Sequence, residues 1–164
     1  PWTHLIAYTL VGLFEIYGLI DDKEYKTELM SILINAAENL TDYYNQNRER
    51  QNYPCFPGTF DKNWESSDNW SCITGDAQLE YFLRSMHRQT KYPQYLECAD
   101  KVLDDLKHLQ ILDAGENNKN LYGSFTGSYP VEGEYCKYNI PNWGVKFFAD
   151  SLIQKIYKVN KYLG

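Results

Sequence analysis

Apolar residues are spread along this chain at two densities, and the two alternate. Over residues 3–18 a helix would be apolar on nearly every side (Leu5, Ile6, Leu10, Val11, Leu13, Phe14, Ile16), as expected of a helix enclosed by neighbours. Over residues 24–44, Leu29, Ile32, Leu33, Ala36 and Leu40 recur at helical spacing, with Lys26, Glu28, Asn35, Glu38 and Asn39 opposite them. That pattern predicts a helix with one wet face. The alternation then returns. Residues 73–88 carry Leu79, Phe82, Leu83 and Met86, and residues 93–109 start on Pro93, a favourable first-turn residue, and continue with Leu96, Ala99, Leu103 and Leu106. Val145, Phe147, Phe148, Leu152, Ile153 and Ile156 predict a last helix over 143–158.

The predicted order is inner helix, outer helix, long loop, twice over, and then a third inner helix. Hairpins fall at about 2–48 and 70–109, with long loops at 49–69 and 110–142. The fold class is therefore all-α, an α/α-hairpin repeat in one domain. Loops of this length are uncommon in a compact domain unless they carry function or pack on themselves. If the inner helices run parallel, both loops lie on one rim, at the helix N-termini.

The loops share a motif. Tyr53-Pro54-Cys55-Phe56-Pro57-Gly58-Thr59-Phe60 and Tyr122-Gly123-Ser124-Phe125-Thr126-Gly127-Ser128-Tyr129 follow one pattern at an offset of 69 positions. Each is followed by an Asn-Trp pair, Asn69-Trp70 and Asn142-Trp143, and Trp2 opens the first helix in the same manner. Residues common to both loops are expected to serve shared geometry. Gly58 and Gly127 would supply permissive backbone, Phe56, Phe125, Trp70 and Trp143 would pack loop on helix, and Asn69 and Asn142 would cap the following helices.

The phrases Pro1-Trp2-Thr3-His4-Leu5-Ile6-Ala7-Tyr8-Thr9-Leu10, Phe125-Thr126-Gly127-Ser128-Tyr129-Pro130 and Pro141-Asn142-Trp143-Gly144-Val145-Lys146-Phe147-Phe148-Ala149-Asp150 resemble the C-terminal part of bacterial α/α-toroid proteins associated with polysaccharide biosynthesis. More distantly they resemble terpenoid-cyclase and prenyltransferase toroids and six-hairpin glycosidases. The resemblance implies a partial (α/α)6-type toroid, with further hairpins of a parent protein completing the ring. It also implies a polysaccharide or oligosaccharide partner. The acid motif D-x-D-D of a terpene cyclase is missing from Asp21-Asp22 and Asp104-Asp105, and no Asp, Cys and His set for a prenyltransferase zinc stands out.

Composition narrows the partners. Sixteen Lys and Arg against 22 Asp and Glu give a net charge of -6 with no basic block, which argues against nucleic acid. Cys55, Cys72, Cys98 and Cys136 are widely separated, so they read as buried thiols of a reducing compartment, pointing to the cytoplasm, and not as a zinc site or disulfide framework. No cofactor or metal is expected. The run Leu5 to Ile20 is interrupted by Thr9, Glu15 and two tyrosines and is shorter than the roughly 20 apolar residues of a membrane span, so it reads as a buried core helix. A first residue other than Met reads as a fragment of a longer protein.

Residues peculiar to one repeat are the site candidates. In the first loop these are Asp61, Glu65 and Asp68 with Trp64, and in the second Glu132, Glu134, Tyr135 and Tyr138; His4 and Tyr8 begin the first helix. Carboxylates accept hydrogen bonds from sugar hydroxyls, aromatic rings stack on sugar C–H faces, and carboxylate pairs serve glycoside hydrolysis. Glu65, Asp68, Glu134 and His4 are the catalytic candidates, and Tyr8, Trp64, Tyr135 and Tyr138 the binding candidates. A carbohydrate-active domain is the first expectation, a non-catalytic polysaccharide- or protein-binding module the second, and an isoprenoid-handling toroid with an oily centre the third.

Overall fold

A computed structural model describes residues 1–113 and 115–157. Among them are five α-helices, α1 (Thr3–Leu19), α2 (Lys23–Asn47), α3 (Ile73–Thr90), α4 (Pro93–Leu109) and α5 (Asn142–Tyr157). Two short strands, β1 (Ser71–Cys72) and β2 (Ser128–Tyr129), pair antiparallel, and a 3-10 helix spans Glu116–Leu121. The chain is all-α, with helices where the periodicity places them. The predicted last residue of the final helix, 158, lies outside the described residues.

Local chemistry accounts for most of the helix ends. The Asp22 carboxylate accepts the N–H groups of Glu24 and Tyr25 at 2.9 and 3.2 Å and so starts α2. Pro93 stands in the first turn of α4. Lys91, in the left-handed region at φ 66°, closes α3 with its N–H on the His87 carbonyl at 2.7 Å.

The starts of α1 and α3 are handled differently. The Gly58 carbonyl accepts the N–H of Thr3 at 2.8 Å, and the Gly127 carbonyl accepts that of Ile73 at 3.2 Å. Each loop thus satisfies an otherwise orphaned donor at the start of the inner helix before it. The glycines themselves donate to Trp70 and Asn139 carbonyls at 2.9 and 3.0 Å. Their φ angles are not positive, so they serve close approach and not conformational freedom. A methyl group on Gly58 would overlap the Trp70 ring, and one on Gly127 would meet the Tyr135 and Cys136 backbone or side chain.

Two expectations change. Asn69 is not a helix cap, because Ser71 and Cys72 form a strand before α3 and Cys72 holds the cap position; Asn142 is already the first residue of α5. The tryptophans are also not equivalent. Trp2 directly precedes α1, Trp70 lies before a strand, and Trp143 sits inside the first turn of α5.

Helix α3 is the centre of the molecule, buried continuously from Ile73 to Met86. Helices α1 and α5 flank it, and α4 packs along its other side beside α2. The three run parallel. A Cβ on Gly75 would come 2.8 Å from the His4 nitrogen, and one on Gly144 3.5 Å from the Thr74 hydroxyl. Toward the other ends, Gln89 bonds the Tyr17 hydroxyl and Gln154 the Ser85 hydroxyl.

Ion pairs link the rows. Arg84 bridges Glu80 and Asp100, and Lys155 joins Asp100 from α5. On the far side Arg48 and Tyr44 of α2 both bond Asp105 of α4 at 2.7 Å. Helix α1 is not the enclosed core helix its composition predicts: Leu5, Ile16 and Leu19 are 49%, 47% and 82% exposed.

Candidate functional site

The helix N-termini of the inner row carry a contiguous group of rings. Trp2 enters α1 and reaches the Trp70 ring at 5.7 Å and the Tyr135 ring at 6.2 Å. His4, one residue into α1, stacks obliquely on Tyr135 at 4.5 Å. Trp143 in α5 donates its indole N–H to the Tyr135 hydroxyl at 2.7 Å and is itself 46% exposed. The second loop therefore brings Tyr135 across the starts of α1, α3 and α5 together. That placement depends on Gly127 and Gly133, where added side chains would collide with Cys136 and Ser128.

Burial tunes the polar groups here. It lowers the pKa of His4 below 6.5, so the imidazole is uncharged at neutral pH, and its Nδ1 is buried without a hydrogen-bond partner among the described residues. Burial raises the Tyr135 hydroxyl, which sits beside Thr74 and keeps its proton. His4 is thus an uncharged ring within an aromatic group at neutral pH.

The other predicted residues are dispersed. Tyr8 lies a turn further along α1, half exposed, meeting Phe147 of α5 edge to face at 5.5 Å. Trp64 turns at φ 61°, packs on Phe60 at 5.7 Å, and faces the groove between α1 and α2. Asp68 is partly buried and accepts the Thr59 hydroxyl at 2.8 Å, holding the first loop where Thr59 pairs with Trp2. Glu65 is exposed; its N–H goes to the Asp61 carboxylate, whose pKa is lowered by that bond and by the N–H of Asn63. Glu132 is exposed, and Glu134 is exposed with Lys137 at 3.9 Å. Tyr138, also exposed, lies under the Lys137 ammonium at 5.7 Å. The Asp61, Asp68 and Glu134 carboxylates have their partners within their own loops.

Trp143 belongs to the exposed rim, although its recurrence in the sequence reads as scaffold. Thr74, Gln78 and Ser85 were also legible in principle: polar residues four and seven apart on one face of a helix that is buried from Ile73 to Met86. Burying an unpartnered amide costs on the order of 1–3 kcal/mol, so polar residues at such spacing in a buried helix are informative.

Among the described residues no three His, Cys, Asp or Glu side chains converge as a metal would require. Cys55, Cys72 and Cys98 are buried, Cys136 half-buried, and all four are free thiols. Burial raises the Cys55 and Cys72 thiols and pushes Cys98 up to about 12. Among the described residues no helix is long and apolar enough to cross a membrane.

A groove of about 430 Å³ runs between α1 and α2, lined chiefly by Leu5, Ile6, Leu10, Leu13, Ile32 and Trp64. It lies beside the inner row, not at its centre.

No family model, curated protein or solved structure matches this chain.

Proposed function

We propose that this chain is an arc of an α/α toroid that binds an oligosaccharide or polysaccharide on the rim formed by Trp2, His4, Tyr135 and Trp143. The observation that carries the reading is the ring cluster itself: four rings from α1, α5 and the second loop within 4.5 to 6.2 Å of one another or hydrogen-bonded, with Trp143 open to solvent. Flat amphipathic rings with polar edges suit a ligand that has C–H faces and hydroxyl edges.

Binding is better supported than hydrolysis. Glu65 and Glu134 are exposed and lie on separate loops, Glu134 beside Lys137, which favours a binding surface over the facing acid and base of glycoside cleavage. The isoprenoid reading calls for an apolar centre. The apolar groove instead lies between α1 and α2, where a further hairpin of the ring would pack, while the central helix presents Thr74, Gln78 and Ser85.

The test is a glycan array probed with the wild-type chain and Trp143→Ala. The expected result is recognition of a defined saccharide class that falls at least about tenfold in the variant, as loss of a stacking ring worth 1.4 kcal/mol or more implies. Equal recognition by both proteins, or none by the wild type, overturns the reading.

A further inference from the structure

Along α3, Thr74, Gln78, Tyr81 and Ser85 are spaced four, three and four apart, which places them on one face of the helix. That face lies between the flanking helices. Gly75 meets α1 at His4, Thr74 meets α5 at Gly144, and Ser85 meets α5 at Gln154. Gln78, three residues from Gly75 and four from Thr74, stands on the line where α1 and α5 approach each other.

Gln78 is the sixth residue of α3, Tyr8 the sixth of α1, and Phe147 the sixth of α5. Because the three helices are parallel, these residues share one level, and the Tyr8 and Phe147 rings meet edge to face at 5.5 Å and an interplanar angle of 83°. Gly75 faces α1 and Thr74 faces α5, so the line along which these two rings meet is the line on which Gln78 stands.

Gln78 is 0% exposed, and both its Oε1 and Nε2 lack a hydrogen-bond partner among the described residues, while the Thr74 hydroxyl one turn earlier lies beside the Tyr135 hydroxyl. Buried polar atoms are nearly always paired. A donor and an acceptor on one amide, next to a hydroxyl and on the line where two rings meet, are complementary to neighbouring hydroxyls on a ring whose other face is C–H.

We propose that the slot between Tyr8, Gln78 and Phe147 is a subsite for a single pyranose ring. Its vicinal hydroxyls bond the Gln78 amide beside the Thr74 hydroxyl, and its C–H face stacks on the Tyr8 ring. Tyr8, half exposed, turns outward to admit it. This rests on the saccharide reading above and assigns one sugar unit to the inner row, below the rim.

The test is calorimetric titration of the full chain with methyl glycosides of glucose, galactose, mannose, N-acetylglucosamine and glucuronic acid, beside Gln78→Leu and Tyr8→Ala. The expected result is binding of at least one glycoside by the wild type, weakened at least about tenfold in both variants, with Gln78→Leu as stable to heat as the wild type or more so. Leucine removes the unpartnered amide without opening a void, so a lower melting temperature with unchanged binding shows a structural amide and overturns the proposal. If Gln78→Leu fails to fold, Tyr8→Ala decides alone, and undiminished binding by it overturns the slot. Full glycoside binding by both variants together with loss of array recognition in Trp143→Ala overturns the slot and leaves the rim reading standing. No glycoside binding by a wild type that still recognises oligosaccharides does the same, and no saccharide recognition of any kind overturns both.

Discussion

Asp76 is a fully buried carboxyl whose Oδ1 accepts the N–H of Phe56 at 3.1 Å, so the first turn of α3 holds the first loop in place. Burial pushes its pKa well above 3.8, only partly opposed by the Phe56 N–H and by Ser71 beside it. Between 3.8 and the raised value the folded state holds a proton that the unfolded state has released. The stability present below 3.8 is therefore lost as pH climbs through the folded value. Asp76→Asn keeps an acceptor for Phe56 and removes the titration. Urea denaturation across pH 4 to 8 is expected to show the variant gaining on the wild type as pH rises. A variant that loses ground at pH 8 contradicts this account of Asp76. In the sequence Asp76 looks like any acidic residue in a helix's first turn, where it would be solvated and favourable to the helix dipole. Its burial comes from the packing of α3 among its neighbours and the first loop, which periodicity does not show.

At the level of elements, periodicity reveals the helices and hides how they begin. Leu29, Ile32, Leu33, Ala36 and Leu40 mark α2 because side-chain burial repeats with the helix. The starts of α1 and α3 rest instead on the Gly58 and Gly127 carbonyls, and a backbone carbonyl leaves no residue signature, so the asparagines looked like the caps. The glycines were visible as a pattern, but their reason, the Trp70 ring against one and Tyr135 and Cys136 against the other, depends on contacts at a distance in sequence. The link between α3, α4 and α5 is likewise a tertiary one. Glu80 is fully buried with Arg84 on its Oε1 at 2.7 Å, and Arg84 also reaches Asp100 at 2.9 Å. Removing one partner of such a pair leaves an uncompensated buried charge. Arg84→Met is expected to cost about 3–5 kcal/mol in chemical denaturation, and Glu80→Gln in the same chain to restore much of the loss. Additive losses in the double variant contradict the pairing.

Across the whole molecule, periodicity marks which stretches are helical, while the enclosure expected of α1 is not found. Helix α3 touches α1, α4 and α5, and α2 packs against α1 and α4. Loop conformation was not legible, because Glu65 and Glu134 carry no periodic constraint and their positions depend on turns such as the Asp61 nest and the left-handed Trp64. The expected meeting of carboxylates from two loops is replaced by a meeting of rings, with Tyr135 drawn onto His4, Trp2 and Trp143. The first loop turns Trp64 toward the groove between α1 and α2 instead. This division gives a direct reading of where a ligand sits, since Trp2 and Trp143 lie on the rim, Trp64 faces the groove and Trp70 is buried. The measurement is a nuclear magnetic resonance titration of the indole N–H signals with a panel of neutral and acidic oligosaccharides. The account predicts that the Trp2 and Trp143 signals move while that of Trp64 stays in place. Movement of Trp64 alone, or of no indole at saturating saccharide, contradicts it.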